Sequence, residues 1–271
     1  MKALVIGSKG FLGKYVVDQL NKEGYELVAF KGDARKKEDI ANNIDDCKAV
    51  INLIGIIRET KDKSFYDVHV LVVKNIIDVM KANGVKKIIH VSALGAKAGA
   101  NSMYHKTKYA GELHILNSKI DYTILRPSFL FGKEDKSINY FIKFVKKGLF
   151  VIFGDGNYKL QPVYVGDVAR AIVDSIKNKK ASKKIIMVGG TKVYSFNELI
   201  DVLARIKDKK IIKIHVPIGL VMFFAKLLGR FSFFPITNDQ LTMLLEGNTC
   251  DNREFLEVFK IDLKDFEAYL E

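Results

Sequence analysis

From the first residue onward, short apolar runs alternate with stretches in which apolar residues recur every three or four positions. That alternation predicts a parallel sheet covered by helices on both faces. Residues 2–6, 26–30, 49–53, 87–91 and 122–126 are each rich in Val, Ile or Leu, as strands buried on both faces require. Between residues 65 and 83, Val68, Val72, Ile76, Val79 and Met80 keep helical spacing, and residues 11–23 behave in the same way. Beyond Gly132 the regularity weakens: helices at 138–147 and 167–178 precede a strand at 185–188. The tail reads as mostly helical. Ser195 with Glu198 and Thr237 with Gln240 form capping boxes, and Asp262 is positioned to cap a third helix. The fold class is α/β, a doubly wound parallel sheet with a small, mostly helical C-terminal lobe.

A length of 271 residues suits one large domain or a nucleotide-binding domain with an appendage, and four prolines leave little room for linkers. The chain is therefore expected as a single unit, residues 1–150 mainly core and 151–271 mainly lobe, with late strands and helices returning to the core. Net charge is +13, yet 37 of the 44 basic residues are lysines scattered along the whole chain. A nucleic-acid reader would show arginine clusters interleaved with aromatics, and seven arginines do not make one, so no nucleic-acid partner is expected. Attraction to phosphorylated ligands or to an anionic membrane surface stays open. Cys47 and Cys250 are too few for a disulfide framework or a zinc site, which makes a reducing cytosol the default. No signal peptide is read, because the apolar run 3–6 stops at Gly7 and Lys9. The longest uncharged run, 214–225, falls short of the roughly 20 residues that a bilayer crossing needs.

The first strand ends directly in Gly7-Ser8-Lys9-Gly10-Phe11-Leu12-Gly13, and a helix follows. In that setting the first glycine permits a tight turn, the second lets the backbone approach a pyrophosphate, and the third lets helix and strand pack closely. Residues 7–13 are thus a candidate dinucleotide site on a Rossmann-type sheet. Ser92 closes the strand at 87–91, and Tyr104-His105-Lys106-Thr107-Lys108 begins twelve residues later. Tyr104 and Lys108, four apart, project from one helical face. A free tyrosine, with a pKa near 10, shuttles protons poorly at neutral pH unless a nearby cation favours the phenolate, and Lys108 would supply that cation.

The GxxGxxG spacing with Ser92 and the YxxxK pattern resembles the extended or atypical branches of the short-chain dehydrogenase/reductase superfamily. Further stretches look like one atypical branch, that of the NAD(P)H-binding accessory subunit of respiratory complex I and its bacterial relatives, often labelled NAD-dependent epimerase/dehydratase. They are Val50-Ile51-Asn52-Leu53-Ile54-Gly55, His90-Val91-Ser92-Ala93-Leu94, Ile124-Leu125-Arg126-Pro127-Ser128 with Phe131-Gly132, and Gln161-Pro162-Val163-Tyr164-Val165-Gly166-Asp167-Val168-Ala169. The resemblance covers residues 1 to about 170 and is loose beyond. It implies that Ser92 holds a substrate carbonyl or alcohol, that Tyr104 is the acid/base, and that Lys108 also bonds the nicotinamide ribose. Ile54 and Gly55 would line the ribose side, and Pro127 would touch the nicotinamide. As an alternative, Arg126 and Asp167 form a buried structural pair and Gly55 is a strand end.

Two departures bear on the cofactor. Where NAD-selective relatives end the second strand with an acidic residue, this chain has Lys31, which suits the 2′-phosphate of NADP. In addition, Gly32-Asp33-Ala34-Arg35 looks like the family's segment after its third strand, as if a helix and strand were missing. Asp33 then contacts adenine, takes the ribose role, or only shapes a turn. NADP is favoured over NAD.

Residues 217–234 carry Leu220, Val221, Met222, Phe223, Phe224, Leu227, Leu228, Phe231, Phe233 and Phe234, with Lys226 and Arg230 as the charges. Three readings stand: packing on the core or lobe, the wall of an apolar small-molecule pocket, or an interfacial helix at a membrane. The expected function is NAD(P)-dependent redox chemistry at a hydroxyl or carbonyl in the cytoplasm. Nucleotide-sugar epimerisation or dehydration is the alternative, disfavoured by the small C-terminal lobe. The alternative of another class is an NADPH-binding subunit or assembly partner of a respiratory complex, peripheral to the inner face of a membrane.

Overall fold

The computed structural model describes residues 1–228 and 236–271. In chain order the elements begin with β1 (Lys2–Ile6), α1 (Phe11–Lys22), β2 (Glu26–Ala29), α2 (Lys37–Ala41) and β3 (Ala49–Asn52). A π-helical turn, Asp67–Leu71, runs into α3 (Val72–Ala82), followed by β4 (Lys87–Val91), α4 (Met103–Leu116) and β5 (Asp121–Pro127). Next come β6 (Leu130–Phe131), α5 (Lys136–Lys146), β7 (Leu149–Phe153), β8 (Lys159–Leu160), β9 (Val163–Tyr164), α6 (Val165–Asp174) and β10 (Lys184–Val188). The remainder is β11 (Tyr194–Ser195), α7 (Phe196–Ile206), β12 (Ile212–Val216), α8 (Ile218–Leu228), α9 (Asn238–Leu245), α10 (Arg253–Phe259) and α11 (Phe266–Leu270).

The chain divides into two units. The first comprises residues 1–127, 165–188 and 251–262, and the second 128–164, 189–250 and 263–271. The first unit is built on a six-stranded parallel sheet in the order β10-β5-β4-β3-β1-β2, with flanking helices, a Rossmann-like arrangement. In β1, Leu4, Val5 and Ile6 are fully buried, and Val5 lies between Ala29 of β2 and Ile51 of β3. α1 packs against α6 and α3 against α4. Leu4, Ile6, Val50, Ile88 and Ile124 of the sheet join Val73, Ile76 and Met80 of α3 in one core. β2 and β10 are the sheet edges, and the connection after β2 holds the five-residue α2 and no further strand.

The second unit has its own core, in which Phe131, Phe150, Phe196, Leu199, Leu203 and Phe266 meet. Its strands pair in twos, β6 with β9, β7 with β12 and β8 with β11. Both capping boxes form, at Ser195–Glu198 and Thr237–Gln240. The third cap differs from expectation: Asp265 rather than Asp262 caps the last helix, accepting from the N–H groups of Glu267 and Ala268. Asp262 instead offers its carbonyl to Arg170.

Of the apolar stretch 217–234, α8 takes residues 218–228, while Arg230, Phe231, Phe233 and Phe234 lie outside the described residues. In α8, Val221 and Ala225, four apart, are buried, whereas Leu220, Met222, Phe223, Phe224 and Leu227 are exposed. No helix among the described residues is long and apolar enough to cross a membrane.

Candidate functional site

The glycine turn starts where β1 ends. Gly7 sits at φ 97°, a region that favours glycine, and its carbonyl accepts the Gly10 N–H at 3.1 Å. A Cβ on Gly13 would stand 2.1 Å from that same carbonyl oxygen, and one on Gly7 would stand 3.1 Å from the Leu53 backbone. Glycine at 13 therefore lets the first turn of α1 press onto the end of β1, and glycine at 7 lets the turn pass close to the backbone that follows β3. Gly10 caps α1 without a side-chain bond, and the first turn holds no acidic residue. The orphan N–H groups and the positive helix end are left for an anion. Of the other predicted turn residues, Leu12 is buried, Ser8 is half-buried, and Phe11 rests edge-on against Tyr15. A cradle that side chains would fill, at the N-terminus of a twelve-residue helix, fits a dinucleotide pyrophosphate.

Gly55 and Lys108 meet: a Cβ at Gly55 would lie 3.2 Å from Lys108 Nζ. Lys108, buried on α4, donates from Nζ to the Val91 carbonyl at 3.0 Å. Tyr104 stands one turn earlier, its half-buried ring edge-on to His69 with centroids 5.2 Å apart. Burial pushes the Tyr104 phenol up to about 12 and the Lys108 ammonium down to about 8, the latter opposed by the charge of Glu112. In the protein alone, then, burial outweighs the phenolate-favouring effect expected of Lys108.

Ser92 follows Val91 directly. Its N–H bonds the Leu125 carbonyl at 2.8 Å, while its hydroxyl, on a residue only 3% exposed, has no hydrogen-bond partner among the described residues. Pro127, buried at the end of β5, accepts the Leu94 N–H at 3.1 Å. Ile54 is half-buried, its side chain packed against the core of the first unit and its N–H donating to Asn52 Oδ1 at 3.2 Å.

Lys31 and Asp33 lie beyond the edge strand. Lys31 is exposed, with its backbone fastened in both directions to Asn43. The Asp33 carboxylate is gripped by Arg35 Nε and Nη2 at 2.6 to 3.0 Å, which holds it down to about 2. Arg35 also reaches the Asp62 carbonyl at 2.6 Å.

The pairing of Arg126 with Asp167 does not occur. Arg126 makes a two-pronged bond to Glu112, which is fully buried on α4, and Asp167 pairs with Arg170 one turn on. A guanidinium fork matches a carboxylate, so the two long side chains of β5 and α4 find each other once the elements pack. Three further polar residues were given no role from the sequence: His69, Thr107 and His90. His69 lies within a helical stretch read for its apolar spacing, Thr107 between Tyr104 and Lys108, and His90 within a stretch read for its family resemblance and for Ser92. Among the described residues no cluster of three or more His, Cys, Asp or Glu is arranged to hold a metal ion.

Residues 3–189 match the model of the NAD dependent epimerase/dehydratase family. The chain is 34% identical, over 248 residues, to NADH dehydrogenase (ubiquinone) 1 alpha subcomplex subunit 9, mitochondrial, of Arabidopsis thaliana, spanning 81% of this chain and 62% of that protein. With the Mus musculus protein of the same name it is 30% identical over 260 residues, 87% of this chain and 69% of that protein. A solved UDP-glucose 4-epimerase from Thermotoga maritima superposes with a TM-score of 0.80 at 20% identity, covering 100% of this chain and 96% of that one, which shows a shared fold. By its sequence over most of its length, the chain belongs to the NAD dependent epimerase/dehydratase family.

Proposed function

We propose that this chain binds NADP(H) or NAD(H) and carries out redox chemistry at a hydroxyl or carbonyl group of a small molecule. The observation that carries this reading is the Ser92 hydroxyl, buried without a partner among the described residues, one residue past the carbonyl that holds Lys108. Leaving such a group unsatisfied costs about 1–3 kcal/mol, a cost that a ligand oxygen would offset. When bound, the nicotinamide supplies or accepts the hydride. Ser92 orients the substrate oxygen through its hydroxyl. The Tyr104 hydroxyl delivers a proton to that oxygen during reduction and recovers it during oxidation, and the Lys108 cation favours the phenolate left behind.

In this reading Gly7, Ser8, Gly10, Phe11, Leu12 and Gly13 hold the pyrophosphate. Ile54 and Gly55 line the ribose beside Lys108, and Pro127 meets the nicotinamide. NADP is favoured because Lys31 is an exposed cation past the edge strand, while Arg35 occupies the acidic Asp33 that would otherwise suit a free ribose hydroxyl.

A second reading is an NADPH-holding subunit of a larger assembly, in contact with a respiratory complex at a membrane surface. The exposed apolar face of α8, with Phe223 62% and Leu227 56% exposed, favours it. One experiment separates the readings: cofactor released on purification is identified by mass spectrometry, NADPH and NADH are titrated by fluorescence, and turnover is followed on a panel of carbonyl compounds. Tyr104→Phe is expected to lower turnover by roughly 10²- to 10⁴-fold while sparing cofactor affinity. An unchanged rate would remove Tyr104 from the chemistry, and equal affinities for the two cofactors would remove the NADP preference. Tightly retained NAD selects epimerisation or dehydration, and binding without turnover selects the subunit.

A further inference from the structure

The backbone after β3 that carries Gly55 is fastened at both ends. At its start, Asn52 Oδ1 accepts the Ile54 N–H at 3.2 Å while Asn52 Nδ2 bonds His90 Nδ1 at 3.1 Å. At its end, the Ile56 N–H donates to His69 Nε2 at 3.2 Å. A ring nitrogen that accepts carries no proton, so the proton of an uncharged His69 sits on Nδ1. Nδ1 faces the Thr107 hydroxyl oxygen at 2.9 Å and donates to it. Thr107 in turn directs its own hydrogen to the carbonyl of Met103 at 2.8 Å or of Tyr104 at 3.1 Å, in the first turn of α4. The chain of bonds therefore runs from the loop beside Lys108, through His69 and Thr107, to the turn that bears Tyr104.

Packing holds the ring in this position. His69 is 2% exposed, stacks on Phe65 with centroids 5.4 Å apart, and meets Tyr104 edge-on. A Cβ on Gly111 would come within 2.2 Å of the His69 carbonyl, so the π-helical turn that bears His69 lies directly on the backbone of α4. Such π-helical turns recur at functional sites, where they redirect a side chain. An imidazolium could not do the same work, since it would point a second N–H at the Ile56 amide. Burial and the charge of Lys108 hold the ring uncharged, down to about 2.

We infer that His69 is a positioning residue of the cofactor site, joining the Gly55 loop to the Tyr104–Lys108 helix as its Nδ1-protonated tautomer. It sets how closely the ribose-side backbone approaches the proton-transfer pair. The inference rests on the cofactor-binding reading proposed above, and its test includes a measurement that needs no cofactor.

His69→Phe keeps the ring packing and removes both bonds, whereas His69→Gln restores an acceptor near the Nε2 position. Each variant is titrated with NADPH and NADH, and exchange of the Ile56 amide is followed by NMR without nucleotide. His69→Phe is expected to bind roughly tenfold more weakly, the scale of one lost hydrogen bond, and to lose Ile56 protection. His69→Gln is expected to recover most of both. Unchanged affinity in His69→Phe, or equal weakening in the two variants, overturns the inference, since packing alone would then explain the residue. If His69→Phe does not fold, Thr107→Val takes its place: it removes the acceptor for Nδ1–H, and unchanged affinity there also overturns it. Should the unaltered protein bind neither nucleotide, the proposed function fails by itself. The clamp is then judged on exchange: Ile56 protected in the unaltered protein and in His69→Gln but not in His69→Phe supports it, and an unprotected Ile56 in the unaltered protein overturns it.

Discussion

Two buried histidines make the first unit sensitive to acid. Burial, with the charge of Lys108, holds His69 down to about 2 and His90 well below its usual range. In the unfolded chain both take up protons near pH 6.5, whereas in the folded chain they do not until far lower. The unfolded state thus binds more protons below about pH 6.5, and stability is lost as pH falls from there toward 2. Urea denaturation between pH 7 and pH 5 is expected to show this decline, and His69→Phe to flatten it by up to ~1.4 kcal/mol per pH unit. An identical slope in the variant would mean that His69 already carries a proton when folded. Ser92, Tyr104 and Lys108 were legible from their spacing because strand end and helix turn are local features. His69 was not, because its partners Ile56 and Thr107 lie 13 and 38 residues away, and no periodicity encodes that meeting.

Local elements were read well wherever the apolar residues mark the buried side. β1, β3 and β4 are buried runs, and the capping boxes of α7 and α9 formed as their residue types demand. The glycine turn belongs to the same class. Gly13→Ala would force a Cβ to within 2.1 Å of the Gly7 carbonyl, so α1 must move off β1. A loss of about 1–3 kcal/mol in urea denaturation is expected, with weaker nucleotide binding. Unchanged stability would show that the turn relaxes freely. β12 escaped the pattern because its isoleucines are the exposed residues, Ile212 at 68% and Ile214 at 45%. Alternation there does not point to a core. α8 poses the same difficulty, since a helix apolar on nearly every side does not declare which stripe it buries, and here Val221 and Ala225 form that stripe. The last cap moved from Asp262 to Asp265 because the last helix begins only at Phe266.

At the scale of the whole molecule, the chain leaves the first unit after Pro127, returns at Val165 and returns again at Asp251. The last return brings α10, where Phe255 is fully buried and meets Phe259. Lys184 at the start of β10 pairs with Glu254 beside it. Phe255→Ala is expected to destabilise the first unit by about 3–5 kcal/mol in urea denaturation followed by circular dichroism, although the residue comes late in the chain. A loss below ~1 kcal/mol would show that α10 only rests on that unit. What the sequence by itself determined is the class of fold, the glycine turn, and the spacing of Ser92, Tyr104 and Lys108. These follow from strand and helix periods and from a few covalent steps along the chain. Tertiary structure alone decided that β2 is an edge of the sheet, that Arg126 meets Glu112, and that His69 joins the loop after β3 to α4. It also decided which late segments rejoin the first unit. Each of these brings together residues distant in sequence, and such meetings depend on how whole elements pack rather than on any local pattern.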